Sequence, residues 1–293
     1  MEVFQISLDH VVSMSVEDFI SQIKRVVSFN NNPDHARYLK FYQDHLLSCA
    51  VAPSNSLLIT TVGIKEFFVG ILYLLRGYQV FHVIHDFIPH PGKKYFVTTV
   101  YNKVACFFFE MVFHSRSQAK AYGGKCFVVP LPLPRVARCQ PCIKGSFFAF
   151  GRFETYKNFD YIILLAQYFP DYKFIIASRG LVVSEVPRNV TIYSHFLSDD
   201  ELANSIKDCQ AVLLPYMSAT QSGVIINAFE FSTPVIVSNL EGLVEYLSGS
   251  GVLGHSFDLD DPMSFQKAVM HINNIDIGAS YEELKLWNSS KIL

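Results

Sequence analysis

Arg152 and Lys157 stand five residues apart in a short polar stretch between a predicted strand and a predicted helix. Ligands of open α/β sheets bind just beyond the carboxyl ends of the strands, where both side chains would lie. A guanidinium and an ammonium held there can bind two phosphates and neutralise a developing diphosphate. Asn158 would assist them or cap the helix. The alternative is that both cations are surface partners of Glu154 and Asp160.

A second candidate site is the strand, loop, helix and strand predicted over residues 211–238. The buried strand ends at Pro215, small polar residues follow, and Gly223 opens an apolar helix that Pro234 stops. The N-terminus of this helix offers free backbone N–H groups and the positive end of the helix dipole, which together bind anions. Ser222 would cap the helix or bond a phosphate oxygen. The alternative is an ordinary crossover helix that Ser222 caps.

Three titratable residues cluster in the first half of the chain, where the strand predicted over residues 79–84 ends. They are His85, Asp86 and His90. Their position at a strand end favours a functional role. A structural turn is the alternative, because the segment is rich in proline and glycine and such turns use aspartate freely.

The composition limits the classes of protein to consider. The chain has 293 residues, is 50% hydrophobic and carries a formal net charge of −2, so no overall charge points to nucleic acid. The 26 phenylalanines and 15 tyrosines predict a surface that faces a membrane or a partner. Lys93, Lys94 and Lys103 near the aromatic residues 95–113 would suit acidic lipid head groups.

The compartment is expected to be the cytoplasm. Residues 1–13 have acidic residues and no apolar run, so they do not read as a signal peptide, and the apolar stretch 67–84 is too interrupted to span a bilayer. Six cysteines without a secretory signal fit a reducing compartment. Cys139 and Cys142 have metal-like spacing, but no second pair accompanies them, so free thiols are the better interpretation and no metal is expected.

Strand and helix patterns alternate along the chain, which predicts parallel α/β sheets. We expect an N-terminal domain over residues 1–134, a linker over 135–145 and a C-terminal domain over 146–293. The last predicted helix, with Trp287 packed against the body, would return to the N-terminal domain. The aromatic run 107–109 is expected in the core, and a membrane contact is the alternative.

An ordered set of motifs resembles the retaining glycosyltransferases of the GT-B fold, the group 1 or family 4 class. The first is Gly151-Arg152-Phe153-Glu154-Thr155-Tyr156-Lys157-Asn158. Ser198-Asp199-Asp200-Glu201-Leu202, Ala211-Val212-Leu213-Leu214-Pro215-Tyr216, Ala219-Thr220-Gln221-Ser222-Gly223 and Pro234-Val235-Ile236-Val237-Ser238 follow in the family's order. The match is strong over residues 148–247 and weaker over 57–134, where His85-Asp86 before Pro89-His90-Pro91-Gly92 resembles the loop that reaches the donor sugar.

The resemblance implies an α/β enzyme with two Rossmann-like parallel-sheet domains that face a central cleft. The C-terminal half would bind a nucleotide-diphosphate sugar, and the N-terminal half would bind a saccharide or lipid-linked acceptor. Transfer with retention of configuration would need no metal and no cofactor, because cations and a helix dipole stabilise the leaving diphosphate. A role in surface polysaccharide synthesis, on the inner face of the membrane, is expected.

The family's site residues carry over to matching positions in this sequence. Arg152 and Lys157 would hold the diphosphate and, with His85 and Asp86, form the catalytic set. Phosphate and sugar would lie along the loop and the first helical turn, at Thr220, Gln221, Ser222, Gly223 and Val224.

The sequence departs from the family pattern in two places. Two glutamates eight positions apart are common in the family, the second on the ribose, and the matching residues here are Ala219 and Asn227. Asn227 and the later Glu245 are therefore the candidates for ribose or nucleoside binding. Residues 1–15 also lack the glycine-rich loop that helps admit the acceptor, which leaves acceptor binding least defined.

Two alternatives remain open. One is a non-catalytic nucleotide-sugar-binding or partner subunit with the same fold, which the missing acidic pair motivates. The other is a different GT-B enzyme, such as an epimerase or a phosphorylase, although no feature for pyridoxal phosphate is visible. The donor sugar, the base, the acceptor and the oligomeric state do not follow from the sequence.

Overall fold

The computed structural model describes residues 56–59, 63–85, 87, 96–129, 131, 133, 136, 142–247 and 253–285. The chain divides between Pro134 and Arg135 into two compact units. The elements predicted within residues 1–49 and the predicted packing of Trp287 and of the last helix on the N-terminal domain lie outside the described residues.

The first unit contains a sheet of four parallel strands in the order β1, β2, β3, β4. The strands are β1 (Ser56–Ile59), β2 (Gln79–Ile84), β3 (Glu110–Phe113) and β4 (Cys126–Val128). The connecting helices are α1 (Ile64–Leu74), α2 (Phe96–Ala105) and α3 (Arg116–Tyr122). Since all neighbours pair in parallel, the carboxyl ends of the four strands share one edge of the sheet.

The second unit contains a sheet of six parallel strands in the order β10, β9, β8, β5, β6, β7. The strands are β5 (Ile143–Phe150), β6 (Lys173–Ala177), β7 (Val190–Tyr193), β8 (Cys209–Leu214), β9 (Val235–Ser238) and β10 (Gly254–Phe257). The helices are α4 (Phe159–Tyr168), α5 (Asp199–Asp208), α6 (Gly223–Glu230), α7 (Glu241–Val244), α8 (Ser264–Asn273) and α9 (Ile277–Lys285).

The direction of winding reverses beside β5, the first strand of the second unit. The chain runs outward from β5 through β6 to β7, then returns to place β8 on the other side of β5 and continues to β9 and β10. Loops that leave adjacent strands in opposite directions open a crevice at their carboxyl ends. The crevice between β5 and β8 is therefore the position at which this sheet is built to bind a ligand.

Aromatic packing makes the second sheet rigid. Phe147 on β5 and Phe174 on β6 are buried, and both rings contact Phe265 of α8 at centroid distances of 5.1 and 6.1 Å. A fully buried aromatic side chain contributes about 2–3 kcal/mol through removal of apolar surface from water. The spacing of Ser198 and Glu201 predicts a capping box, and the two residues exchange these hydrogen bonds at the start of α5, so this prediction is confirmed.

Two strand predictions differ from the structure. Strand β5 begins at Ile143, inside the predicted linker, because its first residues pair with β8 before a register shift between Ile143 and Phe147. The apolar residues 252 and 253 predict a strand, but β10 begins at Gly254, since Gly254–Phe257 pairs along β9. Main-chain pairing with the neighbouring strand decides where each of these strands begins. The side chains of a half-buried edge strand give only a weak sequence signal for that first residue.

The predicted burial of the aromatic run 107–109 is wrong for two of its three members. Phe109 is buried, but Phe107 is 86% and Phe108 50% exposed. The sequence pattern predicts a helix over residues 101–110, but α2 ends at Ala105, so the three residues form the turn that leads into β3. Successive side chains in a tight turn point in different directions, and here one of the three reaches the core.

Candidate functional site

The loop after β5 begins with a backbone conformation that only glycine adopts easily. Gly151 has a φ of 132°, and its N–H donates to the carbonyl of Ala177 at the end of β6. A Cβ at this position would collide with the Nζ atom of Lys157, so the ammonium lies directly against the glycine Cα. The absence of a side chain at residue 151 therefore makes the space that the lysine head group occupies.

Lys157 closes a single 3-10 turn, Thr155–Lys157, in which its N–H donates to the carbonyl of Glu154. Asn158 follows with a φ of 54° and leads into α4, but its side chain makes no capping hydrogen bond. The predicted capping role of Asn158 is therefore wrong, because a left-handed backbone is not the extended conformation from which an N-cap side chain reaches back. Asparagine instead suits the left-handed turn itself.

Lys157 is a buried cation, with 8% of its surface exposed. Burial first, and then the neighbouring Arg152 guanidinium, lower its pKa to about 8, while Glu154 acts in the opposite direction. Arg152 itself is exposed. The predicted pair of cations thus lies together in one loop, with one cation buried and the other in solvent.

Tyr216 joins the loop after β5 to the loop after β8. The Lys157 ammonium lies 5.6 Å from the centroid of the Tyr216 ring, and the Tyr156 ring packs edge-on against it at 5.7 Å. The N–H of Met217 donates to the carbonyl of Tyr156 at 2.8 Å. These contacts fix the two walls of the crevice between β5 and β8 relative to each other.

Helix α6 begins at this crevice without a side-chain cap. Ser222 is the N-cap residue, but its hydroxyl makes no capping bond and instead hydrogen-bonds the phenol oxygen of Tyr216. The predicted capping role of Ser222 is therefore wrong, because a buried hydroxyl takes its side chain. The first N–H groups of α6, at the exposed Gly223 and the half-buried Val224, are not covered by that side chain.

A second glycine, which the sequence reasoning missed, sets the position of the loop before α6. A Cβ on Gly242 would lie 2.6 Å from the carbonyl oxygen of Ala219 and 2.8 Å from that of Thr220. The loop therefore packs directly on the backbone of α7, which continues into a 3-10 turn with Glu245 as its first residue. A glycine directly before the apolar pair Leu243 and Val244, in a short helix, was the only signal of this close approach.

The remaining predicted nucleoside residues lie in different elements. Asn227 is half-buried, one turn into α6 beyond Gly223, and Glu245 is half-buried beyond α7. Gln221 is half-buried and Thr220 buried in the loop between β8 and α6. The loop and the first turn of α6 thus carry the five predicted phosphate and sugar residues consecutively.

The histidine predicted in the first unit lies at the shared carboxyl edge of β2 and β3. The ring of His85 is 5.1 Å from that of the buried His114, whose Nδ1 lies 2.9 Å from the carbonyl of Val129. Burial and the adjacent His85 lower the pKa of His114 to about 3, so His114 is neutral and its Nδ1–H donates to that carbonyl. Asp86 and His90 lie outside the described residues.

An aromatic and guanidinium pair at the carboxyl edge of the same sheet was also missed. The guanidinium of Arg179, just past β6, lies 5.2 Å from the ring centroid of Phe196, just past β7. Phe196 is 63% exposed, so the pair offers a flat surface at the carboxyl edge beside β5. No local motif marks this pair, because residues 17 positions apart meet only through the pairing of β6 with β7.

The arrangement presents a buried ammonium, an exposed guanidinium and uncapped helical N–H groups around one crevice. All of these groups are hydrogen-bond donors, and they suit an anion with two phosphate groups. The raised pKa of Tyr216, caused first by burial, keeps its phenol neutral, so it adds no negative charge.

Binding of a nucleoside diphosphate should depend on the charge of Lys157. We expect an affinity that is constant below pH 8 and falls above it, where the pKa of about 8 makes the amine neutral. If only the ammonium binds, the dissociation constant rises by about tenfold for each further pH unit. Calorimetric titration with UDP from pH 6.5 to pH 9.5 measures this rise of the dissociation constant. An affinity independent of pH would exclude Lys157 from the binding site.

Comparison with known proteins places these features in a family context. Residues 144–274 match the family model described as glycosyl transferases group 1. No curated protein matches the chain in sequence. The matched segment contains all six strands of the second sheet except the first residue of β5, and both walls of the crevice.

Solved structures share the fold at low sequence identity. TarM has a TM-score of 0.60 and 13% identity, covering 81% of this chain and 52% of its own. HepE from Anabaena, in complex with UDP, has a TM-score of 0.58 and 14% identity, covering 86% and 78%. The pneumococcal O-GlcNAc transferase GtfA, in complex with UDP and GlcNAc, has a TM-score of 0.57 and 13% identity, covering 84% and 56%.

The chain spans about half the length of TarM, so the likeness concerns the fold and not the whole activity of that protein. The prediction of two parallel α/β sheets is confirmed. The chain has the fold of the GT-B glycosyltransferases, and residues 144–274 match the glycosyl transferases group 1 family.

Proposed function

We propose that the protein is a retaining glycosyltransferase that moves a sugar from a nucleotide-diphosphate sugar to a saccharide or lipid-linked acceptor. The observation that carries the proposal is the buried ammonium of Lys157 beside the uncapped N-terminus of α6, at the point where the winding of the second sheet reverses. A buried cation costs stability unless an anion accompanies it. The donor diphosphate is the anion that fits this position.

Each neighbouring residue has a role in donor binding. Lys157 neutralises the charge that develops on the leaving diphosphate, and the exposed Arg152 adds a second, bidentate contact. The N–H groups at the start of α6 bind the other phosphate oxygens, while the loop from Thr220 to Gln221 lies along the sugar. Because fixed cations and a helix dipole supply this charge, transfer proceeds without a metal or cofactor.

Nucleoside binding falls to residues at the rim of the same crevice. Asn227 and Glu245 hydrogen-bond the ribose, and the pair of Arg179 and Phe196 offers a flat surface on which a base stacks. UDP is present in the HepE and GtfA structures, and this supports a uridine nucleotide as the first to test.

The acceptor belongs to the first unit in this proposal. His85 and Asp86 follow β2 and take part in catalysis at the acceptor side. GlcNAc is present in the GtfA structure, which supports a saccharide acceptor. A role in surface polysaccharide synthesis follows from the resemblance to the family.

A membrane-facing position fits the exposed aromatic turn of the first unit. Phe107 and Phe108 are exposed beyond α2, where Lys103 is exposed as well, and such residues insert at a lipid interface. None of the helices that the structure describes has the length and apolar character needed to cross a bilayer. The proposed location is therefore the cytoplasmic face of the membrane, by peripheral contact.

A panel of nucleotide sugars with the bases uracil, guanine and adenine tests the function. Hydrolysis or transfer with at least one donor is expected, with retention visible as the same anomeric coupling constant in donor and product by NMR. Absence of binding and turnover with every donor contradicts the proposal. Binding without any turnover would favour the non-catalytic alternative, for which the asparagine at residue 227 in place of an acid is the specific observation.

Gly223 gives a test of the helix terminus alone. A Cβ there would meet no atom within 4 Å, and in a helix it tilts toward the N-terminus, where the phosphate is proposed to lie. We expect Gly223→Ala to raise the free energy of unfolding by about 0.4–1 kcal/mol while weakening UDP binding several-fold. Denaturation and calorimetry measure the two effects, and unchanged UDP binding would remove the phosphate from this helix end.

A further inference from the structure

Tyr216 is the residue through which the two walls of the crevice meet. It follows Pro215 at the end of β8 and is 3% exposed. Its ring faces the ammonium of Lys157, and its hydroxyl bonds Ser222 at the entry to α6. Both groups that are proposed to meet the donor diphosphate are thus held by one side chain.

We propose that Tyr216 is a positioning residue for the donor, which holds the Lys157 ammonium by its ring face and the N-terminus of α6 by its hydroxyl. The proposal rests on the proposed function, since that function assigns the diphosphate to these two groups. Tyr216 itself need not touch the donor.

The ring acts on the charge of Lys157. The ammonium lies 5.6 Å from the ring centroid, within the distance at which the face of an aromatic ring attracts a cation. Burial and Arg152 disfavour the charged form of Lys157, and Glu154 favours it. In this proposal the ring face adds a second favourable contribution. Tyr216 therefore keeps the lysine charged at neutral pH in a place where water cannot do so.

The hydroxyl acts on Ser222. By bonding the serine side chain, the phenol fixes residue 222 at the entry to α6 and so positions the first helical N–H groups for a ligand. A phenylalanine at residue 216 would preserve the ring contact but would release the serine. The two roles are therefore separable by substitution.

The backbone of Tyr216 is fixed independently of its side chain. The hydroxyl of Ser238, at the end of β9, donates to the carbonyl of Tyr216 at 2.6 Å. The next residue, Met217, donates its N–H to Tyr156. These bonds should retain the loop when the side chain is shortened, so a variant reports on the ring and the hydroxyl and not on a collapsed loop.

The ring role is tested in the unliganded protein by NMR titration of ¹³Cε-labelled lysine, with the Lys157 signal assigned by its loss in Lys157→Met. We expect Tyr216→Phe to retain the titration midpoint and Tyr216→Leu to lower it by about one pH unit, because only the second variant removes the aromatic face. An unchanged midpoint in Tyr216→Leu, or an equal fall in Tyr216→Phe, would overturn the ring role.

The hydroxyl role is tested by a double-mutant cycle on UDP binding at pH 7. Tyr216→Phe and Ser222→Ala should each weaken binding by about fivefold, and the double variant should be no weaker than either single one, because both break the same bond. Tyr168→Phe, an exposed tyrosine at the end of α4, is the matched control and should change nothing. Multiplicative effects of the two substitutions, or none at all, would overturn the hydroxyl role.

The two experiments separate this proposal from the proposed function. If the wild-type protein binds no nucleoside diphosphate, the proposed function fails, yet the NMR titration still decides whether Tyr216 controls the charge of Lys157. A different outcome is that UDP binds, the effects of the two substitutions on binding multiply, and the Lys157 titration midpoint is unchanged in Tyr216→Leu. Tyr216 is then only a packing residue, and the proposed function remains. The cycle uses Tyr216→Phe, so it does not depend on whether Tyr216→Leu folds.

Discussion

Lys157→Met should make the protein more stable and strongly reduce its activity. The methionine keeps the length of the side chain and removes the buried charge. A fall in pKa from 10.5 to about 8 corresponds to at most about 3.5 kcal/mol of destabilisation from the buried ammonium. We expect a gain of about 1–3 kcal/mol in the free energy of unfolding at pH 7, together with a fall in kcat/KM on the order of 10²–10³-fold.

The sign of this stability effect follows from proton linkage. The unfolded chain binds the lysine proton more tightly than the native protein does, so the wild type gains stability as pH rises from about 8 to 10.5. The advantage of Lys157→Met should therefore be full at pH 7 and shrink toward pH 10. Urea denaturation at both pH values measures it.

Lys173→Met is the control for this variant, because Lys173 is exposed at the start of β6, at the opposite edge of the sheet. Its free energy of unfolding should stay within about 0.5 kcal/mol of the wild-type value, and its kcat/KM should equal that of the wild type. A loss of stability in Lys157→Met would mean that the ammonium is a structural cation and not one that awaits a ligand.

Gly151→Ala should displace the Lys157 ammonium and lower activity by about 10²-fold. The added Cβ collides with Nζ of Lys157, and a φ of 132° is a backbone conformation that alanine rarely adopts. The strained backbone conformation of alanine at residue 151 lowers the free energy of unfolding by about 1–3 kcal/mol. Denaturation and steady-state kinetics of the variant separate the loss of stability from the loss of activity.

Gly180→Ala is the matched control for the effect of backbone strain. Gly180 has a φ of 84° in the same unit, but a Cβ there meets no atom within 4 Å. The control should lose about 1–2 kcal/mol of stability and keep its activity below the unfolding transition. Equal loss of activity in both variants would show that stability alone, and not the position of Lys157, limits turnover.

The sequence predicted the elements of the second unit well because their signals are local. The bounds of α4 and the start of α6 at Gly223 follow from apolar periodicity, from Pro234 and from the glycine itself. The spacing of Arg152 and Lys157 after a strand likewise marked them as a pair. These features depend on residues that are neighbours along the chain.

What could not be predicted depends on strand order. Tyr216 meets Lys157 only because β8 returns to pair with β5, about 60 residues later, and no local pattern states that order. The hydroxyl bond between Tyr216 and Ser222 also depends on the tertiary structure and could not be predicted from the local sequence. A helix cap was therefore the expected role of the serine. The burial of Lys157 also arises from these long-range contacts, since a lysine in a polar loop is ordinarily exposed.

Calorimetric titration of wild type and Lys157→Met with UDP, GDP, ADP and the matching monophosphates, at pH 7, tests the central claim most directly. At least one diphosphate should bind the wild type more tightly than its monophosphate. Lys157→Met should weaken that diphosphate by tenfold or more and leave the monophosphate nearly unchanged, with Lys173→Met equal to the wild type. Equal binding of the diphosphate by wild type and Lys157→Met would contradict the assignment of the crevice between β5 and β8 as the donor site.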